Sequence, residues 1–371
     1  MLNDKKEEVV KERIGARYLC VAFFCSVQFG LFADKLIIYQ NIKTPALMLS
    51  LMLALVTTIL LLKIGKMKVS HFALIIMSLL ICYVSYKITD NMRMLYIPLT
   101  IPFLMLYEIK DIAKFDAVSK ISIILIVFTF YLLGLTTEEA ILRGNDLRMS
   151  FGFRHPNTLG YILVTLLIDL LIFCKSNKKR KSIIIAYVII ASVLLMMADS
   201  RTSIVALIGI LMINAFHPKI RIKKAAIKRL CKTIAVLAPV LMTILSIVFT
   251  NMYRSGNESI KKMDEVMNGR IGMQAYYMDK SNVTIFGQKM DFSVLPLDNS
   301  YYNILLNFGM SGLALMILMY SLSIKRALDE KDFRLLGFLV LLSIFAIMEN
   351  SPTRIAATPI VLYAFTKKGD R

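Results

Sequence analysis

Histidine is scarce in this chain, three in 371 residues, and cysteine is limited to five. The cysteines, Cys20, Cys25, Cys82, Cys174 and Cys231, show no metal-ligand spacing, and none falls in a segment assigned below to the outer side. That argues against a disulfide framework or a metal site. No internal repeat period is present. A cleavable signal is missing too, because the first 17 residues are charged and enter an apolar run without a small-residue cleavage site. A signal anchor is the expectation. Acidic residues number 25 against 45 lysines and arginines, for a formal charge of +20, yet 57% of the chain is hydrophobic and its mean hydropathy is +0.65. A soluble domain does not combine that hydrophobicity with that charge. A polytopic membrane protein does, since its lysines collect in short cytoplasmic loops. The basic excess is therefore read as topology and lipid contact, with no nucleic-acid partner.

A spanning helix needs about 20 mainly apolar residues. Apolar runs between polar breaks fall at 16–33, 45–62, 70–87, 94–107, 120–136, 159–174, 182–198, 202–216, 233–250, 302–324, 335–349 and 353–366. The expected fold is all-α: one membrane domain over residues 1–371 with about twelve transmembrane helices. Placing the N-terminus inside leaves 15 of the 45 basic residues outside, six of them in one long loop, where the positive-inside rule is weakest. N-in, C-in follows. Lys110, Lys114 and Lys120 count as inner residues in this scheme, and Asp169 is left as the charge in an otherwise apolar midplane, to be satisfied by a buried partner. Eight of the outer basic residues are arginines: Arg93, Arg143, Arg148, Arg154, Arg201, Arg254, Arg270 and Arg354. Lysine suffices for topology, whereas arginine suits bidentate contact with phosphate or carboxylate. An anionic substrate at the outer face is one reading, and carbonyl-capping arginines are the other.

The only long loop, residues 251–300, is expected outside, between the ninth and tenth helices. Ile260, Met263, Val266 and Met267 recur at helical spacing, Asn268-Gly269 supplies a stop, and Arg270 to Asp279 reads as a second helix. Such a loop suits a cap over a cavity. Four polar motifs stand out against the apolar background: Arg148 to Asn157, Asp199-Ser200-Arg201-Thr202, Asn268-Gly269-Arg270, and Leu297 to Tyr302. All fall on the outer side. In the first, Asn157 or Thr158 is the expected N-cap, which accounts for Pro156 but not for Arg148, Arg154 and His155 clustered beside it. In the second, Asp199 and Arg201 either pair at a helical hairpin or present a rigid anion contact. In the last, Asp298 or Ser300 is the expected N-cap, and Gly309 and Gly312 are expected to let helices approach closely. Tyr276, Tyr277, Tyr301 and Tyr302 suit either sugar stacking or the interfacial aromatic belt.

Taken in order, the motifs over residues 145–320 resemble the O-antigen polymerase/ligase superfamily, and within it the Wzy-type polysaccharide repeat-unit polymerases. The resemblance rests on Phe151-Gly152-Phe153-Arg154-His155-Pro156-Asn157 before a helix and Ser200-Arg201-Thr202 after the next. A long loop with Gly269-Arg270 and Phe286-Gly287 follows, then Asp298-Asn299-Ser300-Tyr301 and Gly309-Met310-Ser311-Gly312. The resemblance implies a type-C-like membrane glycosyltransferase in the bacterial cytoplasmic membrane. Its substrates would be undecaprenyl-pyrophosphate-linked oligosaccharides on the outer leaflet, and the transfer would be inverting, without metal or other cofactor. A flippase and a chain-length regulator of the same pathway are the implied protein partners. Many ligase-like members carry His-Asn where this chain has Asp298-Asn299, so no catalytic histidine carries over to that position. The expected assignment puts Arg270, Arg201 and Arg154 on anions, Asp298 as base and His155 as the alternative base. Arg148, Asn157, Asn299 and Tyr301 are the further substrate-binding candidates. A ligase of the same superfamily and a lipid-linked oligosaccharide flippase are the competing functions.

Overall fold

The computed structural model describes residues 2–63, 67, 69–136, 141–143, 146–174, 178–216, 225–291 and 295–368. Lys66, Lys68, Lys175, His217, Lys219, Arg221, Lys223, Lys224 and Arg371, which the N-in scheme expects on the inner side, lie outside these. Among the described residues the regular structure is helical apart from a short antiparallel pair, β1 (Ile141–Arg143) and β2 (Asp146–Arg148). Among the described residues six helices are long and apolar enough to cross a membrane: Asn41–Leu62, His71–Thr89, Ile109–Leu132, Pro156–Phe173, Arg229–Arg254 and Ser300–Asp329. Shorter apolar helices occupy Arg17–Phe32, Met92–Leu106, Lys181–Met197, Arg201–Phe216 and Phe333–Met348. This is an all-α membrane protein by the length and composition of its helices.

The chain folds into two compact units, one of residues 1–69, 99–199 and 366–371, the other of residues 70–98 and 200–365. The first contains α1 (Leu2–Phe32), α2 (Tyr39–Lys63), most of α4 (Tyr96–Leu106), α5 (Ile109–Leu132), α6 (Pro156–Phe173) and α7 (Lys178–Met197). α1 packs on α2 and α5, and α5 on α6. α6 is apolar all round and buried over nearly its whole length, as a helix at the centre of a core must be.

The charge in this core is larger than the hydropathy pattern indicates. Hydropathy ends an inner segment at Lys120, but α5 begins at Ile109, so Lys120 stands in mid-helix and is fully buried. Its Nζ lies 2.6 Å from Asp116 Oδ2, one turn earlier, and 2.6 Å from Asp169 Oδ2 on α6. Gln28 of α1 donates Nε2 to Asp116 Oδ1 at 2.8 Å. Asp169 thus has the buried partner expected for it, while the expectation that it is alone among apolar side chains is corrected. Splitting the chain at charged residues misplaces a lysine whose charge is met inside the protein.

The second unit contains α3 (Val69–Thr89, from Ser70), α8 (Arg201–Phe216), α9 (Ala225–Arg254), α10 (Glu258–Val266), α11 (Arg270–Lys280), α12 (Ser300–Asp329) and α13 (Phe333–Met348). α12 packs on α9 and α13, and α13 on α8 and α9. The last apolar run, 353–366, is not an α-helix. It forms three 3-10 turns, Ser351–Thr353, Ile355–Ala357 and Pro359–Phe365, the last packed on α12. Pro352 and Pro359 each remove a backbone donor, which favours short turns over a continuous helix. Burial of residues 351–363 against protein makes that irregular backbone tolerable.

The loop is helical where expected. α10 starts at Asn257, whose side chain caps Ile260 N, and the stop falls at Asn268 (φ 58°) and Gly269 (φ 77°). α9 runs on to Arg254, so the loop begins later than residue 251. The return is anchored by Tyr277, Leu297, Tyr302 and Leu306, which pack together. α12 is broken at Gly309 (φ 75°, ψ −173°). The expectation that Gly309 and Gly312 bring helices together is corrected at Gly309, where the approaching element is the loop. Met310 N and Ser311 N donate to the carbonyls of Thr284 and Ile285 at 2.9 and 3.0 Å, and Gln288 N donates to Leu306 O at 3.1 Å. A Cβ on Gly309 would sit 2.3 Å from Ile285 O, and one on Gly287 1.9 Å from Asn307 O. Phe286-Gly287 and Phe308-Gly309 therefore form one backbone crossing that ties the long loop to α12.

Candidate active site around Arg270

The polar motif 148–157 belongs to the first unit. Arg148 is buried and faces the end of α7: Nε donates to Ala198 O at 3.2 Å, and Nη2 to Asp199 O at 3.1 Å and Asn157 Oδ1 at 2.8 Å. Two of these contacts satisfy carbonyls beyond a helix C-terminus, where a cation also meets the helix dipole favourably. The cap of α6 is His155, not Asn157 or Thr158. Its Nδ1 accepts from Asn157 N at 3.1 Å, with Pro156 as the first helical residue. An imidazole accepting through Nδ1 carries its proton on Nε2 when neutral. Arg154 is 55% exposed and pairs with Asp34 at 3.4 Å.

The second unit brings together residues of the other three motifs. The corner between α10 and α11 presents Arg270. Gly269 takes the left-handed conformation, and Asp264 accepts from Ile271 N at 2.6 Å, which caps α11. From the first position of α11 the Arg270 side chain, 8% exposed, reaches Asp298 Oδ2 at 3.2 Å and Glu349 Oε1 at 3.3 Å, both through Nη2. Its Nη1 is buried without a hydrogen-bond partner among the described residues. Thr202, second residue of α8, donates its hydroxyl to Glu349 Oε1. Ser300, first residue of α12, donates to the Glu349 carbonyl. Arg201, expected on the substrate anion, is the exposed residue before Thr202.

Asn299, rather than Asp298 or Ser300, caps α12. Its Oδ1 accepts from Tyr302 N at 3.1 Å and its Nδ2 donates to Ser246 Oγ on α9 at 2.9 Å. Asp298, which does not cap the helix, meets Arg270 instead. Tyr301 is buried and donates to Ser343 O on α13 at 2.8 Å, and Tyr277 donates to Leu295 O at 2.6 Å. An open cleft of about 650 Å³ lies beside α11, lined by Tyr253, Arg254, Gly272, Ala275, Tyr276 and Asp279, with Arg254 and Asp279 paired across 2.5 Å.

Glu349 was not anticipated from the sequence. It follows Met348, the last residue of α13, and is 1% exposed. A single acid closing an apolar run has no motif, and its one signal is that it opens the polar stretch Glu349-Asn350-Ser351. Burial, with the charge of Asp298 second, pushes its carboxyl up to about 7, against the opposing pull of Arg270 and Thr202. The site thus holds two carboxylates in unlike settings, Glu349 enclosed and Asp298 with a side chain 21% exposed, on one guanidinium. Environments that separate two acids in this way assign them different proton duties. Comparison of the chain with protein-family models, with curated proteins and with solved structures finds no match.

Proposed function

We propose that this protein is a polysaccharide polymerase of the bacterial cytoplasmic membrane. It would transfer a growing glycan from undecaprenyl pyrophosphate to a new lipid-linked repeat unit at the outer face, in line with its resemblance to Wzy-type polymerases. The observation that carries the reading is Arg270, enclosed by protein, with one guanidinium nitrogen unspent and a partly exposed carboxylate on the other. In the reaction an acceptor hydroxyl attacks the anomeric carbon, its proton passes to a base, and the bond from that carbon to the pyrophosphate oxygen breaks. Negative charge then grows on the departing pyrophosphate. A fixed guanidinium shielded from water is well suited to stabilise it. Asp298 is the base in this scheme, and a carboxylate there also suits an oxocarbenium-like centre. Arg148, Arg154, Asn157, Arg201, Asn299 and Tyr301 remain proposed substrate contacts or supports. The cleft lined by Tyr253 and Tyr276, the latter on the same helix as Arg270, offers a place for a sugar ring. A flippase and a chain-length regulator would be its partners in the pathway.

Arg270→Ala and Asp298→Ala, each at wild-type membrane levels, test the proposal. Accumulated single lipid-linked units are the expected result, and long polymer in either variant would overturn the assignment. A lipid-linked oligosaccharide flippase is favoured by one observation, the buried Asp116, Lys120 and Asp169 group, because ionisable side chains inside membrane helices often mark transport routes. A flippase would leave lipid-linked units on the inner leaflet in such variants, whereas a polymerase defect leaves them on the outer one.

A further inference from the structure

Met310, Ala314 and Leu318 are exposed along α12 and form one apolar stripe that ends at the exposed Lys325. Residues four apart share a helix face, and on a helix long and apolar enough to span, that face meets lipid. Toward the start of α12 the stripe stops. Leu306 and Tyr302, the next positions at that spacing, are buried against Tyr277 and Leu297 of the loop. The exposed apolar surface passes instead to the loop itself, at Val283 and Ile285, 40% and 58% exposed.

The bonding around Gly309 fixes the level of those two residues. Met310 N, whose acceptor in an unbroken helix is Leu306 O, donates to Thr284 O at 2.9 Å, and Leu306 O takes Gln288 N at 3.1 Å. Ile285 O accepts from Ser311 N at 3.0 Å and from Ser311 Oγ at 2.7 Å. Gln288 is thus level with Leu306 and Ile285 with Ser311, so the loop aims its Ile285 end toward the middle of α12. At its base Gln288 Nε2 donates to Asn282 O at 2.9 Å, and the polar Asn282 and Lys289 are exposed there. No charged residue occurs in α12 from Ser300 to Ile324. With Lys325 at one polar boundary, Met310 lies about 22 Å along the axis, which is about 8 Å inside the far edge of a hydrocarbon layer about 30 Å thick. Irregular backbone at that depth needs protein partners. The exchanged bonds with α12 supply them, and the exposed loop side chains at that level are apolar.

We propose that residues 282–289 form a re-entrant tip that places Val283 and Ile285 among the acyl chains of the leaflet at the N-terminal end of α12. Lipid is the occupant of this face, because the loop continues a stripe that already faces lipid and carries no charge between Asn282 and Lys289. The tip fixes the segment between α11 and α12 to the bilayer, with Asp298 and its partner Arg270 on the headgroup side of it.

Tryptophan is absent from the chain, so Ile285→Trp puts a lone fluorescent reporter at the tip. The full-length variant is reconstituted in phosphatidylcholine vesicles whose acyl chains are plain, brominated near the headgroup, or brominated near the chain end. Strong loss of emission in brominated vesicles, greatest with bromine near the headgroup, and no loss with aqueous iodide are expected. Leu318→Trp, about 12 Å farther along α12, should respond most to bromine near the chain end. Quenching of the tip by iodide puts it in water and overturns the proposal. Quenching by neither agent means that protein, such as a second copy of the chain, covers this face, and overturns it equally. Val283→Trp, two residues earlier in the tip, takes the place of Ile285→Trp if that variant fails to fold.

Discussion

Arg270, Asp298 and Glu349 meet in the proposed site, and burial of the Glu349 carboxyl has a consequence for stability. A carboxyl held near 7 in the folded chain and near 4.5 when unfolded binds more protons folded than unfolded between those values. Its contribution is therefore full below about 4.5 and is lost as pH rises through 7. Melting of the purified protein from pH 5 to pH 8 should show this decline, at most about 1.4 kcal/mol per pH unit, and Glu349→Gln should lack that component. A decline of equal slope in the variant would place its origin elsewhere. Gly309 gives a second residue-scale prediction. Its φ of 75° with ψ near 180° is a region almost reserved for glycine, and a Cβ there would strike the Ile285 carbonyl. Gly309→Ala should cost on the order of 3 kcal/mol or more, read as lost folded protein or a lower melting temperature. Arg270 and Asp298 were legible in the sequence because each sits in a polar motif between apolar runs. Glu349 was not, because only folding brings the end of α13 to the start of α11.

Among the elements, α5 and α6 show where hydropathy misleads. The pattern stops a span at every charge, yet Asp116 and Lys120 are one helical turn apart and meet Asp169 inside the unit. Two acids face one lysine, so the variants should differ in severity. Lys120→Met strands two carboxylates in the core and should cost about 3–5 kcal/mol, whereas Asp169→Asn leaves a balanced Asp116 and Lys120 pair and should cost clearly less. Melting temperatures of the two variants in detergent would decide this, and the reverse order would refute the charge count. α10 and α11 were readable because apolar spacing and Asn268-Gly269 mark them locally. The caps were harder. His155 and Asn299 displaced the expected candidates by one to three positions, a choice made by side-chain reach that spacing alone does not encode. The break in α12 was hidden for a further reason, since its hydrogen-bond partners lie 18 to 26 residues away in the loop.

For the whole molecule, hydrophobicity and charge were enough to announce a helical membrane protein, and the helices bear that out. Orientation is the next claim at this scale. With the long loop outside and the segment before α9 inside, an impermeant maleimide applied to intact cells should label Ser255→Cys, an exposed position, and spare the exposed native Cys231. Labelling of Cys231 alone would invert the topology and with it the outer-face site. The last apolar run is where whole-chain reasoning failed: composition gave it the look of a span, while two prolines and its seat against α12 made it a series of 3-10 turns. The central claim is catalysis, and incubation of the purified protein in lipid vesicles with lipid-linked repeat units examines it most directly. The account predicts ladders of polymer and release of undecaprenyl pyrophosphate, with both lost in Arg270→Ala. Movement of intact units across the vesicle membrane with no polymer formed would contradict it.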